Sequence, residues 1–204
     1  MGKYVTLQEV KDFSRLTYQD LGYETESQFD SFLNELIVNV EGLIEKLCKV
    51  PSGFFQANGI SISDETHDWN DRFIILNYRP IISVSSVKLN IAGYAQSPDW
   101  QTIDSKYYIV YNNEGMIKIV GKTPAIPEQS VKISYTAGYS ETPEPIKYAV
   151  KQVCNRILHE ILQRKISPII RVDDWTVRMV ESMAFTEEIK SLLAPYFQRL
   201  VAAG

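Results

Sequence analysis

The stretch 131–150, VKISYTAGYSETPEPIKYAV, decides how this chain is read. Val131, Ile133 and Tyr135 alternate with polar residues, which is the period of a half-buried strand. A Gly138-Tyr139 turn and the prolines Pro143 and Pro145 follow. From Ile146 the apolar residues recur at three and four, the period of a helix. Proline in a first helical turn loses no hydrogen bond, because the first N–H groups of a helix have no partner within it. One junction therefore joins a β-module, lying before it, to a helical module behind it.

On the N-terminal side of that junction the period stays short. Ile60 and Ile62 alternate with serines, and Phe73, Ile75, Val84, Val87, Leu89 and Ile91 lie in short β-branched runs. Tyr107–Tyr111, Ile117 and Ile119 continue the pattern. Clusters of Gly, Pro, Asn and Asp at 77–80, 92–99, 112–115 and 121–128 punctuate it, and Asn112-Asn113-Glu114-Gly115 has the chemistry of a hairpin turn. Five to seven antiparallel strands are expected, as a small sheet or partial barrel. Earlier still, Thr6 and Glu9 form a capping box for a helix through Phe13. A second helix starting at Thr25 or Ser27 carries Phe29, Phe32, Leu33, Leu36, Ile37, Val40, Leu43, Ile44 and Leu47 until Pro51 and Gly53 stop it.

On the C-terminal side, Ile146, Val150, Val153, Cys154, Ile157, Leu158, Ile161 and Leu162 give a broad apolar face through Lys165, which Ser167-Pro168 ends. Residues 169–180 read as two short strands around Asp173-Asp174. Thr186 caps a last helix with Ile189, Leu192, Leu193, Phe197 and Leu200, which Pro195 should kink or divide. The expected fold is α+β: a helical bundle formed by both chain ends (1–53 with 141–204), with a small antiparallel β-module (54–140) inserted in it.

Composition sets further bounds. At 204 residues, 45% hydrophobic and 23% charged, the chain is long enough for a core without metal or disulfide staples. Cys48 and Cys154 sit among apolar neighbours and are expected as buried free thiols. The start MGKYVTLQEVKDF lacks the apolar core of a signal peptide, and no run reaches the ~18 apolar residues of a membrane helix. The expectation is a protein assembled in the cytoplasm, with no membrane partner. The formal net charge is −4; basic residues form no cluster of the kind that grips phosphates.

Catalytic patterns are missing. His67 and His159 belong to no metal-binding spacing, and the acidic run Asp64, Glu65, Asp68, Asp71 lacks the calcium-loop pattern. Both features read more simply as a solvated charged loop and a surface or subunit-contact histidine. No nucleophile elbow, phosphate loop or dinucleotide fingerprint is present. No cofactor and no metal are expected. Tyrosine is abundant, with 12 residues. Tyr94, Trp100, Tyr107, Tyr108, Tyr111, Tyr135 and Tyr139 fall in or beside the β-module, where they read as sheet packing or as partner contacts.

Several phrases taken together resemble phage head–tail connector proteins of the longer, β-containing type. YRPIISVSSVKL (78–89) is similar to their proline-led strand, and ISYTAGY (133–139) with PEPIKYAV (143–150) to their strand, turn and helix start. LLAPYFQRL (192–200) resembles their closing helix with its internal proline and tyrosine. The resemblance implies a non-enzymatic virion protein of the neck, between capsid and tail. It implies a homo-oligomeric ring of about twelve subunits, closed through heterologous contacts, beneath the portal protein and above the next neck or tail completion protein. DNA would pass through it without sequence-specific binding. Carried over, the portal or subunit interface would draw on Ile169, Arg171, Trp175, Arg178, Leu193, Tyr196, Phe197 and Arg199. The residues alone leave two other readings open: a β-domain that binds a peptide or carbohydrate through its aromatic face, and a hydrolase built on paired carboxylates.

Overall fold

The computed structural model describes residues 2–70, 73–164 and 185–198. The chain divides into two compact units, residues 1–55 with 142–197 and residues 56–141 with 198–204. We call them the α unit and the β unit.

In the α unit, α1 (Leu7–Ser14) opens on the expected capping box: the Glu9 N–H donates to Thr6 Oγ1 at 3.2 Å, and Glu9 Oε2 accepts the Thr6 N–H at 2.7 Å. The second helix, α2 (Glu26–Cys48), is capped by Thr25 and ends where Lys49 turns left-handed at φ 58°. Its buried side carries Phe29, Leu33, Leu36, Ile37, Val40, Ile44 and Cys48, each worth roughly 1.5–3 kcal/mol for a fully buried large aliphatic or aromatic side chain. The third, α3 (Glu144–Arg164), starts at the proline pair, with the Pro143 carbonyl accepting from the Ile146 and Lys147 N–H groups. It packs against α1, α2 and α4 (Glu187–Leu193), so segments from both chain ends share one core. Pro195 divides the closing helix: α4 stops at Leu193 and a 3-10 turn spans Ala194–Tyr196. Thr186 occupies the N-cap position but makes no capping hydrogen bond, contrary to its expected role. The expected strands at 169–180 and the position Leu200 lie outside the described residues.

Two carboxylates organise this unit. Glu41, 1% exposed, accepts the N–H groups of Lys3 (2.7 Å), Tyr4 (2.7 Å) and Val5 (3.3 Å). Glu45, one turn further on, accepts the Gly53 N–H (2.6 Å), the Ser52 hydroxyl (3.1 Å), the Tyr4 hydroxyl and Lys3 Nζ (3.3 Å). The Tyr4 hydroxyl is held well above its ordinary pKa, first by burial and then by the Glu45 carboxylate. Cys48 and Cys154 are buried and free, and burial pushes both thiols up to about 12.

The β unit holds two antiparallel sheets. One has the order β1 (Ile60–His67), β7 (Val131–Ala137), β3 (Ile81–Asn90), β4 (Trp100–Thr102); the other has β2 (Ile74–Ile75), β6 (Met116–Ile119), β5 (Tyr108–Tyr111). These are seven strands among the described residues. Central β7 buries Val131, Ile133, Tyr135 and Ala137 on one side, as its alternation predicts. β5 and β6 form a hairpin across residues 112–115. Gly115 stands there at φ 68°, and a Cβ on it would come within 2.7 Å of the Arg79 Cβ.

Removing the Glu41 carboxylate strands the N–H donors of Tyr4 and Val5, which are buried, and that of Lys3, which is partly so. Glu41→Ala is expected to lower unfolding free energy by about 3 kcal/mol. Exposed Glu35→Ala should change it by less than about 0.5 kcal/mol. Urea denaturation of the two variants beside the parent checks the contrast.

Candidate interface surfaces

The C-terminal segment expected at an interface divides by burial. Leu193 is fully buried in the α unit's own core. Tyr196 is half-buried, its ring edge-on to Phe55 at 5.9 Å, and Phe197 is half-buried beside it. Tyr196 and Phe197 therefore keep accessible surface, and Leu193 does not. Ile169, Arg171, Trp175, Arg178 and Arg199 lie outside the described residues. Gln198, which sequence reasoning passed over, is almost fully buried in the β unit. Its Nε2 donates to the Arg79 carbonyl at 2.7 Å, and its Oε1 accepts the Arg79 N–H at 3.3 Å.

The acidic run departs from expectation. It is not a solvated loop: residues 64–67 belong to β1, with a bulge between Ile62 and Glu65 and Asp64 at φ 51°. Asp64 pairs with Lys88 at 2.8 Å, and Asp68 Oδ1 accepts the Gln129 N–H at 2.7 Å. Asp71 lies outside the described residues. Glu65 Oε1 sits 2.6 Å from His67 Nε2 and accepts the Asn77 N–H at 3.0 Å, while Oε2 accepts the Tyr135 hydroxyl at 2.7 Å. Spacing of two on a strand puts Glu65 and His67 on one face. The bulge hid that spacing by shifting the alternation that precedes it. These acids thus have partners in the protein, and among the described residues no three His, Cys, Asp or Glu side chains converge to hold a metal ion. His159 is half-buried on α3.

Several rings of the aromatic face are likewise covered from within the protein. Lys132 Nζ lies 4.3 Å above the Trp100 ring, and Lys106 and Lys122 lie 5.1 and 5.0 Å from the centre of Tyr107. Tyr111 packs edge-on against Phe73 at 5.6 Å, and Tyr135 is 1% exposed in the core. Tyr94, 73% exposed, hydrogen-bonds through its hydroxyl to Glu128. A sugar or peptide stacking on Trp100 or Tyr107 would have to displace ammonium groups already over the rings.

The sequence model of the family described as "Head completion protein" matches residues 3–158. Solved structures share the fold. A chain from the neck of an empty gene transfer agent particle, computed with C6 symmetry, has 16% identity and a TM-score of 0.58, over 100% of this chain and 94% of that one. A chain from the virion of a native gene transfer agent particle has 18% identity and a TM-score of 0.57, over 98% and 92%. One from the neck of the native particle, computed with C12 symmetry, has 16% identity and a TM-score of 0.50, over 100% and 98%. No curated protein matches the sequence.

Burial alone would raise the Glu65 pKa, but the hydrogen bonds from His67, the Asn77 N–H and the Tyr135 hydroxyl outweigh it and hold the carboxyl below its ordinary 4.5. A carboxyl depressed in the folded state stabilises above its unfolded pKa, and that contribution disappears as pH falls through the folded value. The midpoint of thermal unfolding should therefore fall as pH drops below 4.5, and Glu65→Gln should flatten that part of the profile. Calorimetry from pH 7 downward, at roughly half-unit steps across the carboxylate range, reads both effects.

Proposed function

The chain belongs to the head completion protein family, and from that premise we propose that it is a structural, non-enzymatic protein of the virion neck. It acts as a head–tail connector: copies close into a ring under the portal and lengthen the DNA channel toward the tail. The observation that carries this reading is the family match over residues 3–158. The full-length fold likeness to gene transfer agent neck chains supports it, and their C6 and C12 symmetries favour a ring of twelve.

The physical chemistry agrees with a conduit. A net charge of −4 and a sequence without clustered basic residues let DNA slide past, where clustered cations would hold it by counterion release. The portal protein contacts one end of the ring and the next neck or tail completion protein the other. Tyr196 and Phe197, with Ile169, Arg171, Trp175, Arg178 and Arg199, are the residues assigned to portal or subunit attachment. Lateral contacts belong to the α unit, which both chain ends build; the inserted sheets are an accessory to it.

Mixing the full chain with the cognate portal protein should give complexes holding about twelve copies, closed as a ring, in mass photometry and in negative-stain averages. Only monomers, with no association to the portal, would overturn the reading. Duplex DNA should not be retained by the chain at physiological salt in a filter-binding assay.

A further inference from the structure

The smaller sheet of the β unit is apolar on both faces. Its inner side buries Ile74, Ile117 and Ile119. Residues directly opposite each other in an antiparallel ladder share a face, as do residues two apart on one strand. The pairs Ile75–Met116, Tyr111–Met116 and Ile109–Lys118 therefore stand together on the outer side. Phe73 joins them, with its ring edge-on to Tyr111 and Lys118 Nζ 5.7 Å from its centre. The Val120 N–H donates to the Tyr107 carbonyl at 2.7 Å, which continues the same register two residues past Ile109–Lys118 and puts Val120 on that side too.

An antiparallel sheet with one face on a core and one in water ordinarily turns polar residues outward. This one does the opposite. Phe73, Ile75, Ile109 and Val120 are 37, 44, 50 and 45% exposed. They are four of the nine large apolar side chains that the described residues leave exposed. Exposure concentrated on one small sheet, rather than scattered singly, marks a surface that meets a partner.

The charge on this face is positive. Lys118 stands in its middle row, and Lys106 and Lys122 lie 5.1 and 5.0 Å from the centre of Tyr107 at its end. The nearest acids in sequence are Asp104, which lies 3.7 Å from Lys106, and Glu114, in the turn at the other end of β5. Lys118 and Lys122 make no ion pair among the described residues; their ammonium groups rest on the rings of Phe73 and Tyr107. Those rings hold the cations beside the exposed isoleucines without neutralising them.

We propose that the outer face of the β2–β6–β5 sheet docks a protein segment that is apolar and flanked by carboxylates. Its apolar side chains cover Ile75, Ile109 and Val120, and its acids meet Lys118 and Lys122. This rests on the neck reading above, where portal and lateral contacts belong to the C-terminal segment and the α unit, which leaves the β unit for the next neck or tail completion protein. Duplex DNA would neutralise the lysines but leave the isoleucines in water. A second copy using the same face would set lysines against lysines, which like-charge repulsion disfavours.

The test uses the full chain, with the purified next neck or tail completion protein as probe in biolayer interferometry. The parent should bind the probe, and more weakly as salt rises. Ile75→Thr with Ile109→Thr keeps β-branched residues in both strands. Its melting temperature should stay within about 2 °C of the parent's and its ring on the portal protein should be unchanged, while probe binding falls at least about tenfold. Lys118→Glu with Lys122→Glu should act in the same way, and Lys118→Arg with Lys122→Arg should bind as the parent does. Glutamate and threonine variants that bind like the parent overturn the docking face and leave the ring reading standing, as does a parent that forms rings on the portal yet does not bind the probe. Duplex DNA retained by the parent and released by the glutamate variant overturns the protein partner in favour of nucleic acid. A parent that forms no ring on the portal overturns the ring reading; probe binding by the free chain, lost in the variants, still supports the docking face.

Discussion

Glu41 and Glu45, one helical turn apart on α2, hold together the end of the α unit on which the other segments converge. Buried carboxylates are costly unless hydrogen bonds replace the lost water. Here the replacements come from backbone. The N–H groups of Lys3, Tyr4 and Val5 point at Glu41, and the Gly53 N–H points at Glu45. Residues 3–5 and the reversal after α2 are thereby fixed to the same turn of helix. That reversal delivers Phe54 and Phe55 into the core, where Phe55 meets Tyr4 at 5.8 Å and Tyr196 at 5.9 Å. The beginning of the chain, the exit from α2 and the segment after α4 thus share one aromatic cluster. Gly2 has no room for a side chain, since a Cβ would come within 2.5 Å of Ile37. Packing and polar contacts there depend on each other, so neither can be loosened alone.

Much of this was legible where periodicity is local. The apolar stripe of α2, the capping box of α1, the proline-led start of α3 and the break at Pro195 each depend on residues within one or two turns, and each stands where its pattern puts it. The β unit was legible as strands and turns but not as sheets. β7 pairs with β1 and β3 across large sequence separations, and alternation alone does not name a partner strand. The carboxylates were illegible for a related reason. Glu41 and Glu35 look alike in a helical pattern. Glu41 is buried because residues 3–5 fold over it, and nothing in α2 announces that. Glu65 and His67 were hidden by a bulge at Asp64, which shifts the alternation that would have placed them on one face.

The buried acids also weigh against the hydrolase reading. A hydrolase needs carboxylates kept free for substrate, held near one another with shifted pKa values. This chain commits its buried acids to its own backbone and hydroxyls. Glu41 and Glu45 are saturated by the N-terminal segment and the 52–53 turn, and Glu65 by His67, Asn77 and Tyr135. The aromatic rings are committed as well, with lysines over Trp100 and Tyr107. What a folded chain has left for a partner is its surface, which suits a protein whose proposed work is to be tiled between others.

α2 is the element on which the fold of the α unit turns. Its inner side follows the rules of a core, with large aliphatic side chains and saturated carboxylates. Its outer side breaks one rule at one place: a glycine in the helix interior with open space around it. Local sequence choices that conflict with local stability are expected where function demands them. Two glutamates of α2 show the contrast between its sides. Glu41 is covered by residues 3–5 and satisfies their backbone donors, whereas Glu35, nearly two turns earlier, stays exposed.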